Sequence, residues 1–235
     1  MALRSVLIVS PGPDTGGVGI ALKRAFDRHA PDWSVRHVRR RDNYIAYPAD
    51  ITWTRANEGE IDDLYRSASI VHLMESFGDG LPWQSGRPMI VHHHGHQFNV
   101  DPQRWIARAR AEGRIALVST LDMMKPAPDE LVWLPNPCDV EGLARLRAKT
   151  YRPTGARRRV IHSPTSRARK GTDAFLAGIR RLMPRIDLDL IEQRPWSECL
   201  TRKAKGDILF DQFNPAGYAL NSIEAWALGL ATGSG

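Results

Sequence analysis

Short apolar runs alternate with helix-like segments through the first 134 residues. The run at 5–10 is apolar at almost every position, which is typical of a strand buried on both faces of a parallel sheet. The pattern predicts strands at 5–10, 33–40, 69–74, 88–93, 115–119 and 130–134. Helices are predicted between them at 19–30, 60–67 and 102–112. This alternation predicts an α/β fold with a doubly wound parallel sheet.

The alternation restarts after a basic helix at 140–149 and a segment at 150–159 that contains Pro, Gly and a run of Arg. The later strands are predicted at 160–162, 187–191 and 207–210, with helices at 172–182, 196–203 and 219–228. We therefore expect two Rossmann-like α/β domains, residues 1–150 and 156–235, that face a cleft. The second domain is expected to be small or incomplete at its C-terminal end.

Composition narrows the class of partner. The 235 residues carry a net charge of +7 and 42% hydrophobic residues, which is an ordinary globular composition with a basic excess. Such an excess favours anionic partners, namely phosphorylated ligands, nucleic acid or an anionic membrane surface. Cys138 and Cys199 are far apart, and no apolar run approaches the ~20 residues of a membrane span. A soluble cytoplasmic protein is expected.

The loop at 160–173 is the strongest candidate for an anion site. A short β-branched run leads into a loop with Arg167, Arg169 and Lys170, and a helical pattern follows. Thr172 is predicted to cap that helix with its hydroxyl, and Asp173 suits the positive end of the helix dipole. A helix N-terminus beside three cations can bind an anion, although a solvated basic loop is the simpler alternative.

The first loop of the chain is rich in glycine. Gly16, Gly17 and Gly19 allow the backbone to approach a phosphate or sugar closely, although such a loop can also be a turn without a ligand. The loop does not match GxGxxG, and strand two ends in the basic run 39–41 rather than an acidic residue. Both departures disfavour NAD.

Histidines gather at the end of the strand at 88–93. His92, His94 and His96 could supply three zinc ligands, but no Cys or carboxylate lies in the same segment, so no metal is expected. Polar packing at a strand end is one alternative. A neutral imidazole that hydrogen-bonds a sugar hydroxyl is another, with Gly95 allowing the ligand to come close.

Three further polar residues lie at predicted strand ends or helix starts. Ser119 follows a strand, and Asn136 lies between two prolines, where a turn is the default interpretation. Glu224 lies about one turn into the last predicted helix among apolar neighbours, so its carboxylate needs a partner. A sugar cis-diol could be that partner, while an exposed helical glutamate is the simpler interpretation.

These segments, in this order, resemble the GT-B glycosyltransferases, in particular the family-4-like retaining enzymes. The shared elements are the glycine loop at 16–19, His94–Gly95, the Pro135–Asn136…Asp139 element, Arg167 with Lys170–Gly171–Thr172, the strand at 207–209, and the Gly217–Gly229 helix segment. Together they span nearly the whole chain.

The resemblance implies a transfer of a sugar from a nucleotide-diphosphate sugar to an acceptor that is a glycan, lipid or protein. It implies three catalytic residues, His94, Arg167 and Lys170. It implies donor-binding residues at Gly16, Gly17, Asn136, Tyr218, Ala219, Leu220 and Glu224. Arg167 and Lys170 would neutralise the diphosphate, and Glu224 would bind the ribose hydroxyls. Retention and independence from metals and cofactors also follow from the resemblance.

Two departures from the family pattern keep a second function open. Ala216 stands where the family usually has a glutamate, and the sequence ends earlier than the family pattern. A catalytically weak nucleotide- or sugar-phosphate-binding protein is therefore the alternative to an enzyme. A nucleic-acid partner is not expected, because the arginine runs lack interleaved aromatic residues. Peripheral contact with a membrane, or self-association, is compatible with the basic charge.

Overall fold

The computed structural model describes residues 4–81, 83, 87–151, 157–213 and 217–234. Its strands are β1 (Arg4–Ser10), β2 (Trp33–Arg39), β3 (Ile51–Thr52), β4 (Ile70–Met74), β5 (Met89–His93), β6 (Ile115–Val118), β7 (Leu131–Trp133), β8 (Arg158–His162), β9 (Ile186–Leu190), β10 (Ile208–Phe210) and β11 (Ala231–Gly233). Its α-helices are α1 (Val18–His29), α2 (Glu58–Ser67), α3 (His96–Val100), α4 (Pro102–Ala111), α5 (Val140–Lys149), α6 (Arg167–Lys170), α7 (Thr172–Ile179), α8 (Trp196–Lys203) and α9 (Leu220–Ala227).

The chain forms two compact units. The first contains Met1–Asn43 and Tyr47–Pro137, and the second contains Tyr44–Ala46 and Cys138–Gly235. Helix α5 therefore lies in the second unit, whereas the sequence pattern placed the domain boundary between 150 and 156. Leu143 of α5 packs in the core of the second unit, and Arg147 donates to the carbonyls of Ala204 and Gly206 there.

The first unit is built on a seven-stranded sheet in the order β3-β2-β1-β4-β5-β6-β7. Strand β1 pairs in parallel with both β2 and β4, and its last five residues are buried, as its continuous apolar run predicts. The order reverses between β1 and β4, because the chain first winds outward to β3 and then returns. The structure confirms the predicted doubly wound parallel sheet.

The second unit has a four-stranded parallel sheet in the order β11-β10-β8-β9. Its core is an aliphatic cluster that includes Leu143, Ile161, Ile191, Leu200, Leu209 and Leu228. Strand β11 was not predicted, since three small residues give no β-branched run. The strand order of this four-stranded sheet reverses between β8 and β10. Ligands of open α/β sheets bind at the carboxyl ends of the strands where the order reverses.

No helix in the described part of the chain is long and apolar enough to cross a membrane.

Candidate functional site

The basic loop of the second unit folds differently from its prediction at one position. Ser166 begins α6 by accepting from the Arg169 N–H, and Gly171 ends it in the left-handed region at φ 67°. Helix α7 then begins at Thr172. The prediction that the Thr172 hydroxyl caps this helix is wrong, because that hydroxyl is buried 2.8 Å from Nε2 of His162 at the end of β8. A tertiary contact to the sheet has replaced the local cap.

Lys170 is held by two side chains that follow β10. Its ammonium lies 2.7 Å from Oδ1 of Asp211 and 2.5 Å from Oε1 of Gln212. The Gln212 amide in turn donates to the carbonyl of Gly217 at 3.1 Å. An ammonium has three N–H donors. The described residues use two of them, so one donor of Lys170 is available to an anion.

Asp211 is the centre of this cluster and has no exposed surface. It accepts from Lys170, from Ser222 Oγ at 2.6 Å, from Asn221 Nδ2 at 3.2 Å and from the Ala219 N–H at the start of α9. Burial raises the pKa of this carboxyl, but the Lys170 charge and these hydrogen bonds hold it below its ordinary value. Asp211 thus stays ionised and fixes Lys170 beside the N-terminus of α9.

The other two cations of the loop lie in exposed positions. Arg167 makes a bidentate pair with Glu192 at 2.8 Å and a second contact to Asp173 at 3.0 Å. Its hydrogen bonds to these carboxylates, above all to Glu192, raise the pKa of Arg167. Arg169 has no ion-pair partner among the described residues. The structure therefore brings Lys170, and not the whole basic loop, into the strand-end cluster.

Glu224 is buried, so the interpretation as an exposed helical glutamate is wrong. Its two carboxylate oxygens accept from Trp196 Nε1 at 2.7 Å and from Lys203 Nζ at 2.6 Å. Lys203 is buried as well, and a buried ion pair of this kind is costly to break on one side only. A carboxylate has about four lone-pair sites, and these two donors occupy two of them. The ribose role stays a prediction.

Tyr218, Ala219 and Leu220 form the entry to α9, with Ala219 as the residue before its first turn. In the described part of the chain no group accepts from the N–H of Leu220 or Asn221, which leaves two helix-start donors beside the Lys170 cluster. Ala216, the family departure, lies outside the described residues.

In the glycine loop of the first unit, the Asp14 carboxylate hydrogen-bonds to the backbone at the start of α1. Gly16 and Gly17 adopt the left-handed region, and a Cβ on Gly17 would lie 2.5 Å from the Tyr47 ring. Asp14 is buried and accepts from the Gly19 and Ile20 N–H groups at 2.9 and 3.0 Å. The anion position at the N-terminus of α1 is therefore occupied by Asp14.

His72 in the middle of β4, His92 near the end of β5 and His94 just after β5 form a hydrogen-bonded chain with Ser119. His72 Nε2 lies 3.3 Å from His92 Nδ1, and His92 Nε2 lies 3.1 Å from Ser119 Oγ. The same hydroxyl lies 2.6 Å from His94 Nδ1. Burial lowers the pKa of His72 to about 4 and that of His94 to about 3, so these imidazoles are neutral at pH 7.

The backbone of His94 is held by Glu75. The Glu75 carboxylate accepts a short hydrogen bond from the His94 N–H, and its backbone is in the left-handed region at φ 54°, which is strained for a residue other than glycine. Burial raises the pKa of Glu75 to about 7, although the hydrogen bond from His94 opposes the shift. A carboxyl with a pKa near neutral at a strand end suits acid–base chemistry.

His94 Nε2 and Asn136 Oδ1 are buried atoms without a close hydrogen-bond partner among the described residues. Interaction with the Asn136 side chain opposes the lowering of the His94 pKa by burial, so the two groups are neighbours. The ring nitrogens of His92 are both engaged in the chain above. No group of three or more His, Cys, Asp or Glu residues among those described could hold a metal ion.

Sequence reasoning missed several residues of these clusters, namely Asp14, Glu75, Lys203, Asp211 and Gln212. A signal was present for two of them, since Glu75 directly follows β4 and Asp211 directly follows β10. A polar residue immediately after a buried apolar strand marks the carboxyl edge of the sheet. Lys203 carried no such signal, because it ends an ordinary amphipathic helix.

Comparisons with known proteins give structural matches only. Neither a family model nor a curated protein matches the sequence. An alpha-glucosyltransferase solved with UDP and a 13-mer DNA is 11% identical with a TM-score of 0.62, over 98% of this chain and 79% of that one. Starch synthase IV of Arabidopsis thaliana, solved with ADP and acarbose, is 10% identical with a TM-score of 0.59, over 100% and 83%.

Sucrose-phosphate synthase of Thermosynechococcus elongatus is also similar, with 12% identity and a TM-score of 0.57 over 98% of this chain and 81% of that one. At these identities the likeness concerns the fold. It extends over nearly the whole chain, in agreement with the order of motifs in the sequence. The chain therefore has the fold of the GT-B glycosyltransferases.

Proposed function

We propose that the protein is a glycosyltransferase that moves a sugar from a nucleotide-diphosphate sugar to an acceptor. The observation that carries the proposal is the placement of Lys170, fixed by buried Asp211 at the point where the strand order of the second unit reverses. Phosphates bind at this edge in open α/β sheets. Neighbours of the same fold were solved with UDP or ADP, which supports a nucleoside diphosphate as the ligand.

The geometry suits the departure of a diphosphate. Negative charge grows on the leaving group as the bond to the sugar breaks, and fixed donors that face this charge lower the barrier. Lys170 would supply a cation, while the Leu220 and Asn221 N–H groups at the start of α9 would supply helix-end donors. None of these groups needs a metal ion, so we propose a metal-independent reaction. Retention of configuration is proposed from the sequence resemblance alone.

Arg167 and Glu224 would have secondary roles at the donor. Arg167 would exchange its exposed contacts to Glu192 and Asp173 for phosphate oxygens. Glu224 would accept ribose hydroxyls with the lone pairs that Trp196 and Lys203 leave unused.

The first unit would contribute neutral groups. His94 and Asn136 offer buried polar atoms without close partners among the described residues, and such atoms are costly unless a ligand pairs with them. We assign them to the transferred sugar. Gly16 would allow close backbone approach, whereas the Tyr47 ring lies against Gly17 and Asp14 leaves little room for a second anion at α1.

The experiment is a panel of nucleotide-sugars scored by release of UDP, GDP or ADP, with glycan, lipid, protein and DNA acceptors. DNA belongs in the panel because one structural neighbour was solved with it. Release that depends on one donor and on Lys170 supports the proposal. Absence of release with every donor contradicts it.

Nucleotide binding without turnover is the second candidate function. It is favoured by the fact that Arg167 and Lys170 are both already paired with carboxylates, and by Ala216 in the sequence. A nucleotide that raises the melting temperature, with no release of product from any donor, would establish this alternative.

A further inference from the structure

The second unit has a short 3₁₀ segment, Arg180–Arg185, that the proposed function does not use. Its sequence is RRLMPR, and all six residues are exposed. Leu182 is 48% exposed and Met183 is 44% exposed. The three arginines of the segment have no ion-pair partner among the described residues. A single exposed leucine needs no explanation, but two adjacent exposed apolar side chains between arginines form an amphipathic projection.

The 3₁₀ segment lies at the amino edge of the second sheet. Strand β9 begins directly after it, and β9 pairs in parallel with β8, so that Arg158 is opposite Ile186. Arg157 and Arg158 therefore lie at the same edge, because parallel strands in register begin side by side. Lys205 precedes β10, which begins at this edge as well.

Cations outnumber carboxylates at this amino edge. The three arginines of the segment are joined there by Arg157, Arg158 and Lys205. The carboxylates at the starts of these strands are Asp187 and Asp207, which lie 3.9 Å from Arg157 and Arg158 respectively. Contacts of this length between largely exposed groups contribute little, so the guanidinium groups can contact other anions.

We propose that the 3₁₀ segment and the adjacent start of β8 form a docking surface for bilayers that contain anionic phospholipids. Leu182 and Met183 enter the boundary between headgroups and acyl chains, and the arginines on either side pair with lipid phosphates. Apolar side chains beside cations are typical of segments that lie in the membrane interface. Clustered arginines add attraction to a negatively charged leaflet.

An anionic bilayer accounts for both properties of the surface, whereas nucleic acid accounts for one. Nucleic acid would contact the arginines through its phosphates but would leave Leu182 and Met183 exposed. Single strands also bind through aromatic side chains on which bases stack, and the 3₁₀ segment contains no aromatic residue. A bilayer buries the apolar pair and neutralises the cations together.

The docking surface is separate from the candidate donor site. Lys170 and Asp211 follow β8 and β10 at the carboxyl edge of the sheet, while the 3₁₀ segment precedes β9 at the amino edge. Docking at the amino edge therefore leaves the carboxyl edge accessible. The inference does not rest on the proposed function, since it concerns a different edge and needs no nucleotide.

The test is co-sedimentation of the full-length protein with vesicles of phosphatidylcholine, either alone or mixed with phosphatidylglycerol. We expect binding about tenfold tighter to the mixed vesicles, because the arginines attract anionic lipid. Added salt should weaken this binding by screening the charges. Equal binding to the two kinds of vesicle, or no binding to either, would overturn the proposal.

Two double variants separate the apolar and the charged contributions. Leu182→Ser with Met183→Ser keeps the charge and removes the apolar pair, and Arg181→Ala with Arg185→Ala does the reverse. Each double variant should weaken binding to the mixed vesicles about tenfold. All four side chains are exposed, so the melting temperature should stay close to that of wild type.

Matched controls come from exposed positions of the first unit. Arg66→Ala with Arg110→Ala removes the same net charge, and Val100→Ser removes an exposed apolar side chain. Both controls should bind the mixed vesicles as wild type does. A control that weakens binding as much as its matched variant would show that the attraction is not located at the 3₁₀ segment, and the proposal would be wrong.

A DNA duplex distinguishes the alternative ligand. Vesicle binding that requires both the apolar pair and the arginines supports the membrane surface. Suppose instead that DNA binding is lost with Arg181→Ala and Arg185→Ala, while vesicle binding is unchanged by Leu182→Ser with Met183→Ser. The surface would then bind nucleic acid, and the proposal would be overturned.

Discussion

Glu75 and Asp211 hold equivalent places in their own sheets and have opposite pKa shifts. Each directly follows the strand that pairs with the first strand of its unit, on the side where the strand order reverses. Burial raises the pKa of both carboxyls. Glu75 has one described hydrogen bond, and its pKa reaches about 7, whereas Lys170, Ser222 and Asn221 hold the pKa of Asp211 below its usual value.

The two units also differ in net charge. Before Cys138 the sequence has 16 Lys and Arg against 16 Asp and Glu, and from Cys138 onward it has 17 against 10, so the whole excess of +7 belongs to the second unit. Its strand-end cluster is ionised, while the imidazoles of His72 and His94 in the first unit are neutral at pH 7. We infer that anion binding belongs to the second unit and neutral hydrogen bonding to the first.

The largest effect is expected from Asp211→Asn. The change leaves the partly buried Lys170 ammonium without its ion pair, and breaking one side of a buried pair costs roughly 3 kcal/mol. Urea unfolding at pH 7 measures the loss. Asp187→Asn is the control, since Asp187 is exposed and its ion pair with Arg157 is long, at 3.9 Å. Equal stabilities of the two variants would refute the pairing.

The same pair predicts a pH dependence. Because its pKa is lower in the folded state, Asp211 contributes stability above pH 4 that is lost as the pH falls through the folded pKa. The difference between wild type and Asp211→Asn should therefore shrink in acid. A difference that stays constant from pH 7 to pH 3 would mean that the charge of Asp211 is not what stabilises the cluster.

Lys170→Ala is expected to lower turnover of a nucleotide-sugar about 100-fold, because a fixed cation that faces the leaving group is lost. Arg169→Ala is the matched control from the same short helix, and it should change turnover less than twofold. Nucleotide release with a saturating donor measures both. Similar losses in the two variants would indicate a diffuse basic surface rather than a site at Lys170.

Glu75→Gln is expected to stabilise the protein at alkaline pH. A carboxyl whose folded pKa is raised to about 7 contributes stability below pH 4.5, and that stability is lost as the pH rises through 7. Glutamine keeps the acceptor for the His94 N–H without the charge. The variant should exceed wild type by roughly 3 kcal/mol at pH 8 and nearly match it at pH 4.5. Lower stability at pH 8 would contradict the raised pKa.

Arg167→Ala should have the smallest effect. Its ion pairs are exposed, and exposed pairs contribute about 0–1 kcal/mol. We expect a KM for the donor that rises less than tenfold and a melting temperature within about 2 °C of wild type. Arg180→Ala is the exposed control. A loss of turnover as large as that of Lys170→Ala would place Arg167 at the centre of the site.

The sequence was sufficient for the order of the longer strands and helices, although β3, α3 and β11 were not predicted. Apolar runs placed most strands within two residues, because buried parallel strands have a strong local signal. The ion pair between Lys170 and Asp211 could not be predicted from the sequence. The two residues are 41 positions apart, and only the sheet brings them together. Local reasoning likewise assigned Thr172 to a cap, whereas the tertiary contact to His162 determines its place.

The central claim is tested most directly by calorimetric titration of UDP, ADP and their monophosphates into wild type and Lys170→Ala. The account predicts that wild type binds one of the diphosphates at least tenfold more tightly than its monophosphate, and that Lys170→Ala abolishes this preference. Equal affinity for diphosphate and monophosphate in wild type, or a preference that survives in Lys170→Ala, would contradict a diphosphate site at Lys170.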